Sequence, residues 1–149
     1  MVVRVQDADF DPGAELAALS TGRTDIGAVA SFTGLVRGGE VTALELEHYP
    51  GMTERALAGI EAQATARWSL DATLIIHRYG RLLPGERIVL VAAASRHRAA
   101  ALEAVAFMMD FLKTDAPFWK REEGPDGGRW VDARSGDDTA RDRWGAKDG

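Results

Sequence analysis

Residues 96–113 predict a long helix with apolar side chains on two faces, and such a helix needs cover on both. One stripe comprises Leu102, Val105, Ala106, Met109 and Leu112, and the other comprises Phe107, Met108 and Phe111. A single sheet covers only one stripe. The second requires either deep burial or a subunit interface, and we favour the interface. The helix is expected to stop before Ala116-Pro117, since a residue that precedes proline avoids the helical region.

Strand patterns surround this helix. Apolar or alternating runs predict strands at residues 2–5, 26–36, 42–49, 73–79, 87–93, 118–122 and 129–133. Asp11-Pro12 opens a predicted short helix, and Met52–Trp68 forms another with Thr53 as its N-cap. The strands at 26–36 and 42–49 are expected to pair as a hairpin through a Gly-Gly turn. These elements predict an α+β fold, a mostly antiparallel mixed sheet with packed helices and an extra hairpin subdomain.

Length and composition predict one globular unit. A chain of 149 residues is expected to form a single domain over residues 1–134, followed by a polar, flexible tail over 135–149. The hydrophobic share of 46% is typical of soluble globular proteins. No apolar run approaches the ~20 residues of a membrane span, and the N-terminus lacks a signal-peptide pattern. A cytoplasmic location is therefore expected.

Cysteine is absent, which excludes disulfides, thiolate metal sites and a cysteine nucleophile or persulfide on this chain. The three histidines, His48, His77 and His97, lack metal-ligand spacing, so no metal and no cofactor are predicted. We interpret His48 and His77 as structural residues on strands. The net charge of -5 argues against general nucleic-acid binding, while a local basic site for a small anion stays open.

Lysine is scarce among the basic side chains. Of the 18 lysines and arginines, only Lys113, Lys120 and Lys147 are lysines. Arginine keeps its charge, whereas the pKa of a lysine falls when the amine is desolvated. Lys113 and Lys120 flank aromatic residues, which favours amine chemistry; a coding bias towards arginine is the alternative. Lys147 lies in the polar tail and is assigned no role.

The segment after the helix can bring two of these lysines together. If residues 118–122 are extended, Phe118 and Lys120 share one face, while Trp119 and Arg121 share the other. Lys113 and Lys120 can then converge on one cleft, where close ammonium groups lower each other's pKa. Such a lysine can act as general base, general acid or nucleophile. The alternative is an aromatic core segment whose lysines reach solvent.

Cations also mark the start of the long helix. Ser95 is the predicted N-cap, and Arg96, His97 and Arg98 fill the first turn. Because the helix dipole disfavours cations there, we interpret them, with the exposed backbone N–H groups, as an anion site. The alternative is that both arginines extend into water. Arg37, beside two glycines at the end of an apolar strand, is a further candidate.

Seven motifs, in this order, are similar to one family. They lie at residues 32–37, 46–53, 76–78, 84–86, 95–98, 113–122 and 129–134. The most specific are Glu-His-Tyr-Pro-Gly-Met at 47–52 and Ala-Pro-Phe-Trp-Lys-Arg-Glu at 116–122. From about residue 26 to residue 134 the chain resembles the large, catalytic subunit of molybdopterin synthase.

The resemblance implies an α/β hammerhead fold and a homodimer of large subunits, each bound to one small, ubiquitin-like sulfur-carrier subunit. The carrier's C-terminal Gly-Gly thiocarboxylate would enter the large subunit's pocket. Its sulfur would pass to cyclic pyranopterin monophosphate, and two transfers would form the dithiolene of molybdopterin in molybdenum cofactor biosynthesis. The absence of cysteine fits sulfur that arrives on another molecule.

The resemblance also implies roles for single residues, with Lys113 and Lys120 as the catalytic lysines. Substrate-binding residues would be Leu35, Val36, Arg37, His97, Arg98, Arg121 and Glu122, and secondary candidates would be Phe32, Met109 and Arg134. His97 and Arg98 could serve the neighbouring subunit's lysines. The loop at 38–41 is shorter than the family's usual loop, which leaves its contact with substrate or partner open.

Two other functions compete with this one. A non-catalytic module could dock an acidic peptide on the aromatic-lysine segment, and a nucleotide-binding or phosphoryl-transfer enzyme could use the same basic cleft. The second lacks a Gly-x-x-x-x-Gly-Lys loop and a carboxylate pair for magnesium. Replacing each lysine with arginine separates amine chemistry from docking, because arginine keeps the charge.

Overall fold

The computed structural model describes residues 1–131, 141–142 and 144–145, and within them it confirms the α+β class. The helices are α1 (Pro12–Ser20), α2 (Met52–Trp68) and α3 (Arg98–Asp115). The strands are β1 (Val2–Gln6), β2 (Ala28–Leu35), β3 (Ala43–His48), β4 (Ala72–Arg78), β5 (Gly80–Leu82), β6 (Arg87–Ser95), β7 (Phe118–Gly124) and β8 (Gly127–Val131). In the described part of the chain, no helix has the length and apolarity to cross a membrane.

The strands form two four-stranded sheets. The first has the order β1-β4-β6-β2, in which β1 runs parallel to β4 and the other neighbours are antiparallel. The second has the order β5-β3-β7-β8 and is antiparallel throughout. Only Tyr79 separates β4 from β5, so the chain passes directly from one sheet to the other.

The predicted hairpin between residues 26–36 and 42–49 is wrong. These runs become β2 and β3, which lie in different sheets. β2 pairs with the apolar strand β6, whereas β3 pairs with β5 and β7. The two runs lie close together in the sequence, which favoured a hairpin. In the structure, β2 forms its backbone hydrogen bonds with the apolar strand β6 instead. The predicted pair at the end of the chain is confirmed as β7 and β8.

The central strands β4 and β6 are covered on both faces. Alternate residues such as Ile75 and Val91 pack with α2 and α3. The residues between them, such as Ile76 and Leu90, pack with Phe10 and the apolar side of α1. Burial on two faces explains why these strands read as continuous apolar runs.

The helix α3 begins two residues later than predicted. Ser95 is still the last residue of β6, paired with Ala28, so its backbone cannot cap a helix. Its Oγ accepts the N–H of His97 at 3.4 Å, and His97 is the N-cap. Arg96 and His97 therefore precede the helix, and Arg98 is the one predicted cation in its first turn.

The second apolar stripe of α3 is covered from within the chain, so our interface interpretation of it is wrong. Phe107 and Met108 are buried. The centroid of the Phe107 ring lies 5.3 Å from that of Trp68 in α2 and 5.5 Å from that of Trp144. The Trp144 Nε1 donates to Asp110 at 2.6 Å. Much of the predicted tail lies outside the described residues, and its polar composition did not reveal this buried tryptophan.

The helix α2 has the predicted bounds but a different cap. Gly51 is the N-cap, with φ 84°, a left-handed conformation that suits glycine. Thr53, the predicted cap, is already inside the helix. Its hydroxyl accepts the Tyr49 N–H and donates to the Pro117 carbonyl, both at 3.0 Å.

Candidate active site

An open cleft of about 820 Å³ lies where the two sheets meet the C-terminal end of α3. The first sheet contributes Ile88 and the residues that follow β2. The second sheet contributes Leu44 and Leu46 from β3, and the side chains of one face of β7. These apolar side chains, called the apolar floor below, share the cleft with several charged side chains.

Lys113 and Lys120 both line this cleft. Lys113 is in the last turn of α3, where the helix dipole favours a cation. Lys120 lies on β7, on the far side of the turn at Ala116-Pro117. The helix and the strand therefore bring together two amines that are seven residues apart in the chain.

The side chains of β7 alternate between its two faces, as predicted from the sequence. Phe118, Lys120 and Glu122 face the cleft. Glu122 lies between two cations, with Oε1 3.9 Å from the Lys120 Nζ and Oε2 3.8 Å from Arg129. These separations are long for ion pairs, so the carboxylate offsets charge without fixing either side chain firmly.

Arg37 lies at the rim of the cleft because the residue before it is anchored. The N–H of Val36 donates to the Glu86 carbonyl at 2.9 Å, and the Val36 carbonyl accepts the Gly85 N–H at 2.8 Å. Leu35 and Val36 line the cleft on the same stretch. The short loop that follows also lines it through residues 38, 40 and 41, so this loop forms part of the wall.

The charged side chains of the cleft carry a positive balance. Three cations, Arg37, Lys113 and Lys120, line it together with two carboxylates, Glu40 and Glu122. An open cleft with excess positive charge attracts small anions, although the whole chain is acidic. The described residues include no cluster of three or more His, Cys, Asp or Glu side chains arranged to hold a metal ion.

His97 and Arg98 lie far from this cleft in the same chain. They are exposed at the N-terminal end of α3, and Lys113 follows Arg98 by fifteen residues. At 1.5 Å per residue, the helix separates these two positions by about 22 Å. The structure therefore does not bring them to the lysines of their own chain.

Three other predicted residues, Arg121, Phe32 and Met109, also lie outside the cleft. Arg121 is on the opposite face of β7, where its guanidinium lies over Gly128 and 3.8 Å from Glu123. Phe32 is exposed on the edge strand β2, and Met109 is buried in the core. Arg134 lies outside the described residues.

His77 lines the cleft, although sequence reasoning interpreted it as structural. It is buried near the end of β4, and its ring stacks on Phe118 with a centroid separation of 3.8 Å. Its pKa is lowered to about 4, chiefly by burial and less strongly by the charge of Lys113, against a hydrogen bond to the Arg78 carbonyl that raises it. The available signal was the alternation of β4, which places His77 on the face of Ile75, towards α3.

Comparison with known proteins connects the whole chain to one group. A family model described as MoaE protein matches residues 5–115. A molybdopterin synthase catalytic subunit from Ralstonia nicotianae is 58% identical over 147 residues, covering 96% of this chain and 84% of the relative. The solved structure of a molybdopterin biosynthesis MoaE protein from Burkholderia ambifaria is 56% identical with a TM-score of 0.85, covering 97% of both chains.

A more distant solved structure shares the fold alone. It is a complex of subunits 1 and 2 of the molybdopterin-converting factor from Helicobacter pylori, and the matching chain is 21% identical with a TM-score of 0.76. The match covers 91% of this chain and 93% of that one.

Proposed function

The chain belongs to the MoaE protein family, and from that membership we propose that it is the catalytic subunit of a molybdopterin synthase, with sulfur transfer in the open cleft. The convergence of Lys113 and Lys120 on that cleft is the observation that carries the proposal. Two amines from separate elements, beside an arginine and an apolar floor, suit chemistry on a bound anion.

The proposed acceptor is cyclic pyranopterin monophosphate, which gains the dithiolene of molybdopterin through two sulfur transfers. Arg37 at the rim presents a planar set of N–H donors that fits the oxygens of a phosphate. The same donors stabilise the charge that develops as the cyclic ester opens. The apolar floor beneath them suits the flat ring system of a pterin.

The proposed sulfur donor is a small, ubiquitin-like carrier subunit with a C-terminal Gly-Gly thiocarboxylate. The relatives are named as catalytic subunits, which implies a second kind of subunit. The open cleft admits an extended chain end, and its positive balance favours a thiocarboxylate. With no cysteine of its own, the chain has no thiol to hold the sulfur. We also propose that this chain is located in the cytoplasm.

A homodimer completes the proposed site. His97 and Arg98 are exposed and about 22 Å along α3 from Lys113, too far to reach it within one chain. In a homodimer, they bind the anionic substrate above the lysines of the neighbouring subunit. Glu122, at the cleft, keeps the proposed role of a substrate-binding residue, whereas Arg121 lies on the outer face of β7, away from the cleft of its own chain.

The lysines act on the carbon–sulfur bond of the carrier. The sulfur bonds to a carbon of the pterin, water adds to the carrier's C-terminal carbonyl, and the carrier leaves as a carboxylate when its carbon–sulfur bond breaks. One lysine holds that carbonyl or assists the proton movement. An amine can do either near neutral pH, whereas a guanidinium keeps its proton. The chain therefore needs lysine at these positions even though it uses arginine almost everywhere else.

Arginine at either position tests the proposal. Lys113→Arg and Lys120→Arg keep the positive charge but remove the amine, and we expect each to lower the rate of molybdopterin formation by about 100-fold or more. The assay combines the purified chain with a thiocarboxylated carrier and the pterin substrate, and it quantifies the product by fluorescence after oxidation.

Lys147→Arg is the matched control, since it makes the same change at the remaining lysine. It is expected to retain full activity. If Lys113→Arg and Lys120→Arg also retain full activity, the amine chemistry is wrong and the cleft serves only to dock its partner.

A further inference from the structure

Two described residues near the C-terminus, Arg141 and Trp144, pack on the last two turns of α3. Trp144 is 5% exposed, and its Nε1 donates to the Asp110 carboxylate at 2.6 Å. The Arg141 Nε donates to the Asp115 carboxylate at 3.0 Å. Hydrogen bonds to carboxylates are among the stronger ones in proteins, and the bond from Trp144 is also shielded from water. We call Arg141 and Trp144 the C-terminal brace.

Aromatic contacts extend this attachment along the helix. The Trp144 ring lies edge-on to Phe107 and to Trp68 of α2, with centroid separations of 5.5 and 5.7 Å. The Arg141 guanidinium lies over the Phe111 ring, 5.1 Å from its centroid. Because Phe107 and Phe111 are four residues apart on α3, the C-terminal brace covers one continuous strip of the helix surface.

This strip is separate from the side of α3 that forms the cleft. The α3 residues in contact with the C-terminal brace, at positions 107, 110, 111 and 115, do not line the cleft, whereas Leu112 and Lys113 do. Arg141 and Trp144 do not line it either. The C-terminal brace therefore supports the helix from behind the site, without access to a bound substrate.

The end of α3 needs such support because its own backbone holds it weakly. The last carbonyls of a helix have no partner within the helix, so the final turn opens more readily than the middle. Here the Ala116 N–H donates to the Leu112 carbonyl at 3.4 Å, a long hydrogen bond. Lys113 extends from this same turn. The place of its amine in the cleft thus depends on contacts that hold the turn from outside.

We infer that Arg141 and Trp144 are positioning residues of the sulfur-transfer site, which brace the last two turns of α3 and so fix the backbone from which Lys113 extends into the cleft. The inference rests on the proposed function, which assigns the chemistry to Lys113. Neither residue touches the reacting groups. Both act through the helix, Trp144 more strongly, since the Arg141–Asp115 pair is more exposed to water.

Hydrogen exchange tests the C-terminal brace without any substrate. Arg141→Gln and Trp144→Phe remove the two donors and keep much of each side chain. In the variant that carries both changes, we expect the backbone amides of residues 112–116 to exchange about tenfold faster, as measured by mass spectrometry or NMR. If the double variant lacks a cooperative thermal transition, each single variant is measured in its place, with the same direction expected.

Phe10→Leu is the matched control for a general loss of core packing. Phe10 is buried against the other face of the first sheet, in a cluster that contains no residue of α3. The variant is expected to be less stable in urea but to keep the wild-type exchange of residues 112–116, because amides that exchange by local opening do not respond to global stability. Arg141→Lys keeps a cation beside Asp115 and is expected to retain most of the protection.

The sulfur-transfer rate supplies the second readout, at a temperature at which every variant is folded. The double variant is expected to lose about tenfold in kcat, with KM for the pterin substrate within about twofold of wild type, since the cleft residues are unchanged. Phe10→Leu is expected to keep the wild-type kcat.

Three results would contradict the inference, each in a different way. Unchanged exchange of residues 112–116 in the double variant would overturn the bracing of the helix end. Faster exchange with an unchanged kcat would overturn the positioning role while Lys113→Arg remains inactive. Full activity of Lys113→Arg would instead overturn the proposed function, and the positioning role with it, whatever the exchange rates are.

Discussion

Glu61 is a carboxyl group inside the core, on the face of α2 that packs towards β4. It is 1% exposed, and neither its Oε2 nor the nearby Thr73 hydroxyl has a partner at hydrogen-bond distance in the described part of the chain. Burial raises the pKa of Glu61, while the charge of the N-terminal amino group and the Val2 N–H oppose that rise. The folded chain therefore holds a proton at Glu61 over a pH range in which the unfolded chain has released it.

This linkage predicts how stability depends on pH. A raised carboxyl pKa adds stability below its unfolded value, near 4.5, and that stability is lost as the pH rises through the folded value. Glu61→Gln stays neutral, so its free energy of unfolding is expected to rise relative to wild type between pH 4.5 and pH 8. The gain is about 1.4 kcal/mol for each unit by which the pKa is raised.

Urea titrations at several pH values measure this difference. Glu47→Gln, at an exposed position of β3, is the control for the loss of one negative charge. Parallel stability curves for wild type and Glu61→Gln would show that Glu61 titrates alike in the folded and unfolded chains.

For single residues, the sequence predicted which face of a strand a side chain occupies better than it predicted what that side chain does. Period-two alternation placed Lys120 and Phe118 on one face of β7, which the structure confirms. The same alternation did not distinguish His77 from a core residue, because its stacking contact with Phe118 comes from an element distant in the chain. Arg98 was predicted correctly in the first turn of α3, whereas His97 is the N-cap and not part of that turn.

Thr53 connects two elements that the site depends on. Its side chain is fully buried; it accepts the Tyr49 N–H and donates to the Pro117 carbonyl, each at 3.0 Å. Pro117 belongs to the turn between α3 and β7, with Lys113 on one side of it and Lys120 on the other. One hydroxyl therefore holds the start of α2 against the segment that sets the distance between the two lysines.

Thr53→Val removes this hydroxyl while keeping the shape of the side chain. The Tyr49 N–H and the Pro117 carbonyl lose their partner inside the protein, so we expect a loss of about 1–3 kcal/mol in the free energy of unfolding, measured in urea. The rate of sulfur transfer is expected to fall about tenfold or more, because the lysine-bearing turn loses its anchor. Thr53→Ser keeps the hydroxyl and should retain most of both quantities; equal losses in both variants would argue against the hydrogen bond.

Element boundaries followed from local patterns, whereas pairing did not. Met52–Trp68 was predicted with its observed bounds, since its apolar spacing and its flanking turn agree. The β2–β3 hairpin failed because the apolar pattern shows that a strand is buried without showing which strand covers it. Serine is a favoured N-cap residue, but Ser95 pairs with Ala28 and is therefore part of the sheet.

The most direct passage between the two sheets is a crossing at which β4 runs through Tyr79 into β5. Arg78 is buried at this point, and its guanidinium donates to the Asp7 carbonyl at 3.0 and 2.9 Å and to the Arg87 carbonyl at 3.0 Å. It also lies 3.5 Å from Glu86. The Asp7 carbonyl follows β1, and the Arg87 carbonyl is at the start of β6. Arg78, at the end of β4, therefore connects the ends of three strands beside the cleft.

Arg78→Met tests this crossing at the level of the whole molecule. Methionine fills a similar volume but donates no hydrogen bonds, and the carbonyls of Asp7 and Arg87 lose their charged donor. We expect the free energy of unfolding to fall by about 2–4 kcal/mol. Because both sheets line the cleft, the variant is also expected to lose part of its sulfur-transfer activity at temperatures where it remains folded.

Arg81→Met is the matched control for that experiment. Arg81 lies three residues along the chain, but its side chain is 58% exposed and pairs only with Glu123, at 3.2 Å, among the described residues. An exposed ion pair of this kind contributes at most about 1 kcal/mol, so Arg81→Met is expected to unfold near the wild-type urea midpoint. Equal midpoints for the two variants would mean that Arg78 acts as an ordinary surface charge, and the stability of the crossing would then have to come from the apolar residues of β4 and β6 alone.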